Sequence, residues 1–208
     1  MAQKMMDLSC ADFASALAAK ASVPGGGGAA AYAGALGVAL GSMAGNFTVG
    51  KKAYAQVEDQ VRDLLAEGEG IRERLLGLVE ADAAAFEPLS RAYGIPKDDP
   101  TRAEVLETAT KEALQAPLQM MREICEAIAM LEKMERVGSK MLVSDVGCGA
   151  SLCAAALEMA SLNVFINTKS LADRDYAVQV EAECDTLLET YLPRARDVAK
   201  RVGASIRG

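Results

Sequence analysis

One carboxylic acid, Asp82, occupies a position where the sequence otherwise places apolar residues. The positions that share its predicted helical face follow one another at intervals of three or four: Val57, Val61, Leu64, Gly68, Ile71, Leu75, Leu78, Asp82, Ala85 and Leu89. A carboxyl group on such a face loses hydration, which raises its pKa unless a partner compensates. A group poised in this way is suited to proton transfer. The alternative is a partly exposed Asp82, because the pattern drifts out of register near Pro88, and the spacing favours neither interpretation.

A run of glycines, Gly25, Gly26, Gly27 and Gly28, offers a second kind of chemistry. Bare backbone N–H groups ahead of a helix can hold an anion or admit a flat ligand at close range. The run lacks the Gly-x4-Gly-Lys-Ser/Thr pattern of a phosphate-binding loop. Glycines forbid a regular helix here and permit positive φ, so a flexible connection is the favoured interpretation.

Five further polar residues are candidates for binding a ligand. Lys51 and Lys52 either bind a carboxylate tail or stabilise the C-terminus of the preceding helix, and the second role is favoured. Asp145 lies beside a helix start, where a carboxylate is stabilised in any case. Asn163 and Asn167 share a partly apolar helical face, where two amides serve either an internal polar contact or ligand recognition.

Composition excludes several kinds of site. There is no histidine, and the five cysteines form no Cys-x-x-Cys pair, so zinc fingers, histidine metal centres and Ser-His-Asp triads are ruled out and no metal is expected. The net charge of −7 disfavours nucleic acid as a partner. We expect the thiols of Cys148 and Cys153 to be buried and inert. Free cysteines and a start without a signal-peptide pattern predict a cytoplasmic protein.

Six helices are predicted to position these residues, over 9–21, 29–47, 54–93, 101–136, 144–167 and 173–203. Aromatic residues make up only 4 % of the chain, so small apolar side chains must fill the core, which favours closely packed helices. We expect kinks at Pro88, Pro117 and Pro193, and a capping box formed by Thr101 and Glu104. The sequence therefore predicts an all-α fold: one domain over 1–208, a mostly antiparallel bundle of about six helices, several of them long.

The second predicted helix lies in a stretch, residues 23–50, that contains no charged residue. Its length is sufficient to span a bilayer. About half of it is glycine and alanine, however, which favours a buried helix and no membrane partner. Ala29, Ala33, Gly37, Gly41 and Gly45 recur every four residues and form a bare stripe that a neighbouring backbone can approach closely. Each glycine costs a helix about 1 kcal/mol relative to alanine, so a stripe of them indicates close packing.

Taken together, these segments resemble the cyclodeaminase/cyclohydrolase family of folate enzymes. The matching segments, in the family's order, are 24–30 (PGGGGAA), 36–43 (LGVALGSM), 48–52 (TVGKK), 82–86 (DAAAF), 94–97 (GIPK), 116–118 (APL), 144–147 (SDVG) and 162–167 (LNVFIN). The block from Pro24 to Lys52 is fairly specific. The other segments are short and are informative mainly as a set.

The resemblance implies an antiparallel helical fold that forms a homodimer and places a folate-binding cleft near the subunit interface. It also implies an acidic catalytic residue at Asp82, with Gly25, Gly26, Gly27, Lys51, Lys52, Asp145, Asn163 and Asn167 lining the site. The expected reaction is hydrolysis of 5,10-methenyltetrahydrofolate to 10-formyltetrahydrofolate, which needs no metal or redox cofactor. No formiminotransferase domain is attached, which favours this cyclohydrolase reaction over the alternative, a cyclodeaminase that releases ammonia from 5-formiminotetrahydrofolate. A non-catalytic scaffold that dimerises through the small-residue stripe is a third interpretation.

Overall fold

The structure is a computed structural model that describes residues 4–208, and throughout this range the regular elements are helices. The predicted all-α fold is confirmed. The α-helices are α1 (Cys10–Ala18), α2 (Gly26–Asn46), α3 (Glu58–Ala92), α4 (Arg102–Ala113), α5 (Gln115–Val137), α6 (Val143–Thr168) and α7 (Arg174–Arg207). Short 3-10 helices occupy Met5–Asp7, Lys52–Val57 and Lys140–Leu142.

Side-chain caps start two of the helices, as their sequences predict. Ser9 accepts a hydrogen bond from the Asp12 backbone N–H at 3.1 Å ahead of α1, and Asp173 accepts one from the Tyr176 N–H at 3.1 Å ahead of α7. The capping box predicted at Thr101 is wrong. The Thr101 hydroxyl donates to the Asp99 carboxylate at 2.7 Å instead, so a local turn uses the group that would have capped α4.

The single helix predicted over 101–136 is also wrong, because the chain breaks at Leu114 into α4 and α5. Pro117 explains the break. Proline has no N–H to donate to the carbonyl of Ala113, and its ring crowds that carbonyl, so a helix cannot pass this point unchanged. Pro88 and Pro193, in contrast, lie inside α3 and α7, which continue through them.

The start of α2 corrects the prediction for the glycine run. Gly26, Gly27 and Gly28 form the first turn of the helix, and Gly25 precedes it with φ −123°, so none of them adopts a positive φ. The first N–H groups of any helix have no partner within the helix, so this turn depends less on helix propensity than the turns that follow. Close contact with Asp82 on α3 requires glycine at position 27.

Helix α2 lies at the centre of the bundle, and its glycines let neighbouring helices approach closely. A Cβ added to Gly37 would lie 2.8 Å from the Gly149 carbonyl oxygen on α6, and one added to Gly149 would lie 2.6 Å from the Gly37 oxygen. Near the other end of the contact, Gly26 lies beside Asn163, so α2 and α6 run in opposite directions. The predicted stripe is therefore buried at Gly37, Gly41 and Gly45. Because these contacts are within one chain, this surface is not available for a scaffold that dimerises through the stripe.

Helix α3 runs against α2 in the opposite direction, with Asp82 beside Gly27 and Leu65 beside Gly45. Its buried residues follow the prediction up to Leu75, but Val79, 1 % exposed, replaces Leu78 on the buried face. A straight helix has 3.6 residues per turn, so it drifts relative to an ideal 3.5-residue repeat. Asp82 remains on the inward side and is half-buried.

Two segments are long and apolar enough to cross a membrane by length and composition, Gly26–Asn46 and Lys140–Thr168. About half of each segment lies inside the bundle. The core helices of soluble proteins have the same properties, so the two segments are weak evidence for a membrane span.

Replacing Gly37 by alanine tests the close contact between α2 and α6. The added methyl group would overlap Cys153 and the Gly149 carbonyl, so we expect a loss of about 1–3 kcal/mol in the free energy of unfolding. Gly77→Ala is the control. Nothing lies within 4 Å of a Cβ at this exposed position on α3, and we expect alanine to stabilise the helix by up to about 1 kcal/mol. Chemical denaturation measures both changes. Equal stability of Gly37→Ala and the wild type would contradict the contact.

Candidate functional site

A cavity of about 230 Å³ opens where the N-terminus of α2 meets α3, the α4–α5 junction and the C-terminal half of α6. Its lining residues are Ser22, Val23, Gly25, Gly26, Gly27, Asp82, Phe86, Ala113, Pro117, Asn163, Ile166 and Asn167. Six of the nine site residues predicted from the sequence are among them. We call this cavity the Asp82 pocket.

The carboxylate of Asp82 lies directly against the first turn of α2. A Cβ added to Gly27 would lie 2.5 Å from Oδ1 and 2.6 Å from Oδ2, so any side chain at this position would displace the carboxylate. A Cβ added to Gly28 would make only ordinary contacts, with Val79 at 3.5 Å and Pro24 at 3.7 Å. Gly27 is therefore the position at which the absence of a side chain makes room for the Asp82 carboxylate.

Two opposing effects act on the Asp82 carboxyl group. Burial removes water from the charged form and raises the pKa of Asp82 above its ordinary value, and this effect dominates. A hydrogen bond from the Gly28 backbone N–H acts in the other direction, as expected beside the N-terminus of a helix. The pocket thus contains a carboxyl group that holds a proton more readily than a solvated aspartate does, without a cationic side chain among the residues that line it.

Asn163 and Asn167 reach the same pocket from α6. Each side-chain amide nitrogen donates to the backbone of its own helix, Asn163 to Met159 O at 2.8 Å and Asn167 to Asn163 O at 2.9 Å. These bonds fix the two amide groups and leave their oxygens to accept hydrogen bonds from a ligand. Asn163 also contacts the α2 N-terminus, since its amide nitrogen would lie 3.3 Å from a Cβ on Gly26.

Lys51, Lys52 and Asp145 lie at the other end of the bundle. Helix α2 separates its Gly26 and Asn46 ends by about 30 Å at 1.5 Å per residue. Lys51 follows its C-terminal end, where Nζ donates to the Ser139 hydroxyl at 3.3 Å. Lys52 is exposed, and Asp145 occupies the first turn of α6. The structure of one chain therefore does not bring these three residues to the Asp82 pocket.

Sequence reasoning did not select Phe86, Pro117 and Ile166 as lining residues of the site. Each carried a detectable signal. Phe86 is four residues after Asp82, hence one turn along the same face of α3, and Ile166 lies between Asn163 and Asn167. Pro117 lies in the wall because it breaks the helix beside the pocket. These side chains give the pocket apolar surface beside its polar groups.

The cysteines do not belong to this site. Cys125, Cys153 and Cys184 are buried, and burial raises the pKa of each thiol to about 12, which keeps it protonated. The prediction of a buried thiol is correct for Cys153 and wrong for Cys148, which faces outward from α6. Between residues 4 and 208 no three cysteine, aspartate or glutamate side chains are grouped in a way that could hold a metal ion.

Comparison with known proteins identifies the class. The family model described as formiminotransferase-cyclodeaminase matches residues 9–186, and the chain belongs to this family. The resemblance seen in the sequence motifs is thus confirmed.

Two relatives and one solved structure define the similarity further. The chain is 39 % identical over 180 residues to a methenyltetrahydrofolate cyclohydrolase of Methylorubrum extorquens, covering 85 % of this chain and 86 % of that protein. It is 29 % identical to the formimidoyltransferase-cyclodeaminase of Mus musculus over 90 % of this chain, but spans only 35 % of that longer protein. The crystal structure of formiminotetrahydrofolate cyclodeaminase from Thermotoga maritima superimposes with a TM-score of 0.83 at 30 % identity, covering 96 % and 99 % of the two chains.

The raised pKa of Asp82 predicts a measurable effect of pH on stability. Between the ordinary value of 3.8 and the raised native value, the native state holds a proton that the unfolded chain does not. The contribution of Asp82 to the stability of the fold is therefore most favourable below that window and is lost as the pH rises through it. Above the window the charged carboxylate destabilises the fold.

We expect Asp82→Asn to unfold at higher denaturant concentration than the wild type at pH 7, with a smaller advantage as the pH approaches 4. The control is Asp63→Asn, which changes an exposed residue of the same helix and should bring no such gain. Urea denaturation at several pH values measures the difference. An Asp82→Asn variant that is less stable than the wild type at pH 7 would show that the Gly28 hydrogen bond outweighs desolvation.

Proposed function

We propose that this protein is a methenyltetrahydrofolate cyclohydrolase, which adds water to 5,10-methenyltetrahydrofolate and yields 10-formyltetrahydrofolate. The single observation that supports this most strongly is the half-buried Asp82 carboxyl group, fixed against the α2 N-terminus inside a pocket. The 39 % identity to a protein with this activity, over most of both chains, supports the same reaction.

The reaction joins a water oxygen to the cationic bridge carbon between N5 and N10 of the folate. As the C–O bond forms, a proton of the water passes to Asp82, which acts as the general base. The C–N5 bond then breaks, and N5 takes the proton from Asp82. The proton of the new hydroxyl group leaves to solvent as the formyl C=O forms on N10. One water is consumed and one proton is released, which balances the positive charge of the substrate.

The surroundings of Asp82 suit both parts of this role. A negative carboxylate stabilises the cationic bridge before water adds, and it does so more strongly in a pocket with little water than in solution. Its raised pKa makes the carboxylate a stronger base than a solvated aspartate, which favours removal of a proton from the attacking water. The amide oxygens of Asn163 and Asn167 are placed to accept the N–H groups at the edge of the pterin ring.

A formiminotetrahydrofolate cyclodeaminase is the second candidate, and the structural match to such an enzyme favours it. In that reaction N10 adds to the formimino carbon and ammonia leaves. The tetrahedral carbon and the need for proton transfer are the same, so the Asp82 pocket suits either reaction. The two are separated by measuring loss of methenyltetrahydrofolate absorbance against release of ammonia from the formimino compound.

We infer that the active form is a homodimer. The outward face of α2 is apolar along its length and includes Leu36, 42 % exposed, and Phe47, 53 % exposed. On α6, which packs beside α2, Leu162 and Ile166 are 67 % and 64 % exposed, and Ile166 also lines the Asp82 pocket. Large apolar side chains exposed on neighbouring helices are typical of an interface.

A second copy of the chain is the proposed occupant of this surface. Leu36 lies at the midpoint of α2, Gly26–Asn46, so a symmetric contact between two α2 helices can be centred on it. A two-fold axis near Leu36 would set the two α2 helices antiparallel. The C-terminal end of one would then lie beside the glycine end of the other, and Lys51 of the partner subunit would approach the Asp82 pocket. This arrangement would bring the α2 C-terminal end that precedes Lys51 and Lys52 towards the pocket of the other subunit, which the distances within one chain do not allow. The free cysteines support the further proposal of a reducing, cytoplasmic location.

Replacing Asp82 tests the proposed base. We expect Asp82→Asn to lower kcat for methenyltetrahydrofolate hydrolysis by about 10²- to 10⁴-fold, the usual range for loss of a general acid–base group, with the fold intact. Asp63→Asn, on the exposed side of α3, should retain wild-type turnover. Decay of the methenyl absorbance, corrected for the spontaneous reaction, gives the rates. Turnover within a few-fold of wild type in a folded Asp82→Asn variant would exclude Asp82 as the base.

Replacing Leu36 tests the dimer. The wild-type protein should have twice the 21.8 kDa mass of the chain by light scattering. A charge at the centre of the apolar face should prevent association, so Leu36→Glu should be a folded monomer. Val105→Glu introduces the same charge at a similarly exposed position, 39 %, on α4 and should remain dimeric. A wild-type protein that stays monomeric at micromolar concentration would disprove the dimer.

A further inference from the structure

A second hollow of about 210 Å³ adjoins the Asp82 pocket on the side of α3 that leads towards its C-terminus. Its lining residues are Ser22, Val23, Ala83, Phe86, Glu87, Ser90 and Arg91. We call it the Arg91 hollow. Neither the sequence motifs nor the proposed reaction at Asp82 requires such a space.

The two cavities share a border. Ser22, Val23 and Phe86 line both of them. Phe86 is the aromatic side chain common to both linings, and it offers an apolar face against which a flat ring can stack. A ligand that extends from one cavity into the other crosses this border at Phe86.

The distance spanned by the two cavities suits the substrate of the proposed function. Asp82 and Arg91 are nine residues apart on one helix, which is a rise of about 13.5 Å and two and a half turns, so the path from one to the other winds around α3 past Phe86. In a methenylfolate, a benzoyl ring and an amide bond separate N10 from the glutamate carboxylates. With the bridge carbon at Asp82, the benzoyl ring falls at the level of Phe86, and the glutamate falls within reach of an arginine side chain one to two turns further on.

The lining of the Arg91 hollow contains one cationic and one anionic side chain, Arg91 and Glu87, and they are only weakly paired. Arg91 is the only cationic side chain among the residues that line the two cavities. Its contact with Glu87 is long, 3.7 Å, and the two side chains are 72 % and 69 % exposed, so this pair is weak. A guanidinium group can bind a carboxylate through two parallel hydrogen bonds, which an incoming glutamate can offer in place of Glu87. The Ser90 hydroxyl lies in the same lining as a further donor.

We propose that the Arg91 hollow is the binding site for the glutamate tail of the folate, with Arg91 binding a tail carboxylate and Phe86 packing against the benzoyl ring. The proposal rests on the proposed function, because it takes the position of the bridge carbon from the role of Asp82. It assigns the tail to residues of the same chain. Lys51, predicted for this role from the sequence, lies about 30 Å away along α2 and reaches the pocket only across a dimer.

The test compares ligands with and without the glutamate. Steady-state kinetics give KM and kcat for methenyltetrahydrofolate and for methenyltetrahydropteroate, which ends at the benzoic acid. Calorimetry gives Kd for tetrahydrofolate and tetrahydropteroate and needs no turnover. The variants are Arg91→Ala, Glu87→Gln and Lys51→Ala. Arg62→Ala is the matched control, because Arg62 pairs with Glu58 at the same four-residue spacing at the opposite end of α3.

For Arg91→Ala we expect KM and Kd for the glutamate-bearing ligands to rise about tenfold, which corresponds to the loss of about 1.4 kcal/mol of binding free energy. Values for the ligands without glutamate, and kcat, should not change. Glu87→Gln should tighten binding of the glutamate-bearing ligands, because it removes the competing carboxylate. Arg62→Ala should match the wild type with every ligand.

Three results would overturn the assignment of the tail. The first is that the wild type binds ligands with and without glutamate equally well. The second is that Arg91→Ala weakens binding of both kinds of ligand to the same extent. The third is that Lys51→Ala, and not Arg91→Ala, weakens binding of the glutamate-bearing ligands. Failure of the proposed function is a different outcome. In that case the wild type turns over neither substrate, and the binding constants alone decide whether Arg91 holds the tail.

Discussion

The close contact between the backbone of α2 and its neighbours is the constraint on which the rest of the structure depends. Glycine at positions 37 and 149 lets α2 and α6 meet backbone to backbone, and glycine at position 27 leaves room for the Asp82 carboxylate. Because α3 and α6 both run against α2, these contacts fix which of their residues reach its N-terminal end. The pocket is the space that remains where the three helices meet the break between α4 and α5.

The close contact between α2 and α3 also explains how Asp82 is held beside the N-terminus of α2. Burial disfavours the charged form of Asp82, and only the Gly28 N–H offsets part of this effect. A fold that needed maximum stability would place an apolar residue at this point of α3. The free energy lost by burying the Asp82 carboxyl group is offset by packing elsewhere in α3, where Ile71, Leu75 and Val79 are almost completely buried. Stored strain or unfavourable charge of this kind is typical of functional sites.

Much of the fold and part of the site could be predicted from the sequence. The helical pattern, the glycine stripe and the singular position of Asp82 follow from local spacing, and that spacing is preserved in the structure. The break at Leu114 and the helical glycines at 26–28 could not be predicted in the same way, because they depend on what packs beside them. Lys51 and Asp145 show the limit most clearly. Their motifs contribute to the family resemblance, but the length of α2 separates these residues from the Asp82 pocket of their own chain.

The dependence of kcat/KM on pH tests the central claim most directly, because it reports the ionisation of the catalytic base in the free enzyme. If Asp82 accepts a proton from water, activity must fall as the pH is lowered through the pKa of its carboxyl group. Burial raises that pKa, so the midpoint of the fall should lie clearly above 3.8, the ordinary value for aspartate, while the protein is still folded. A profile without an acidic fall, or with its midpoint at the ordinary value, would contradict this account of the site.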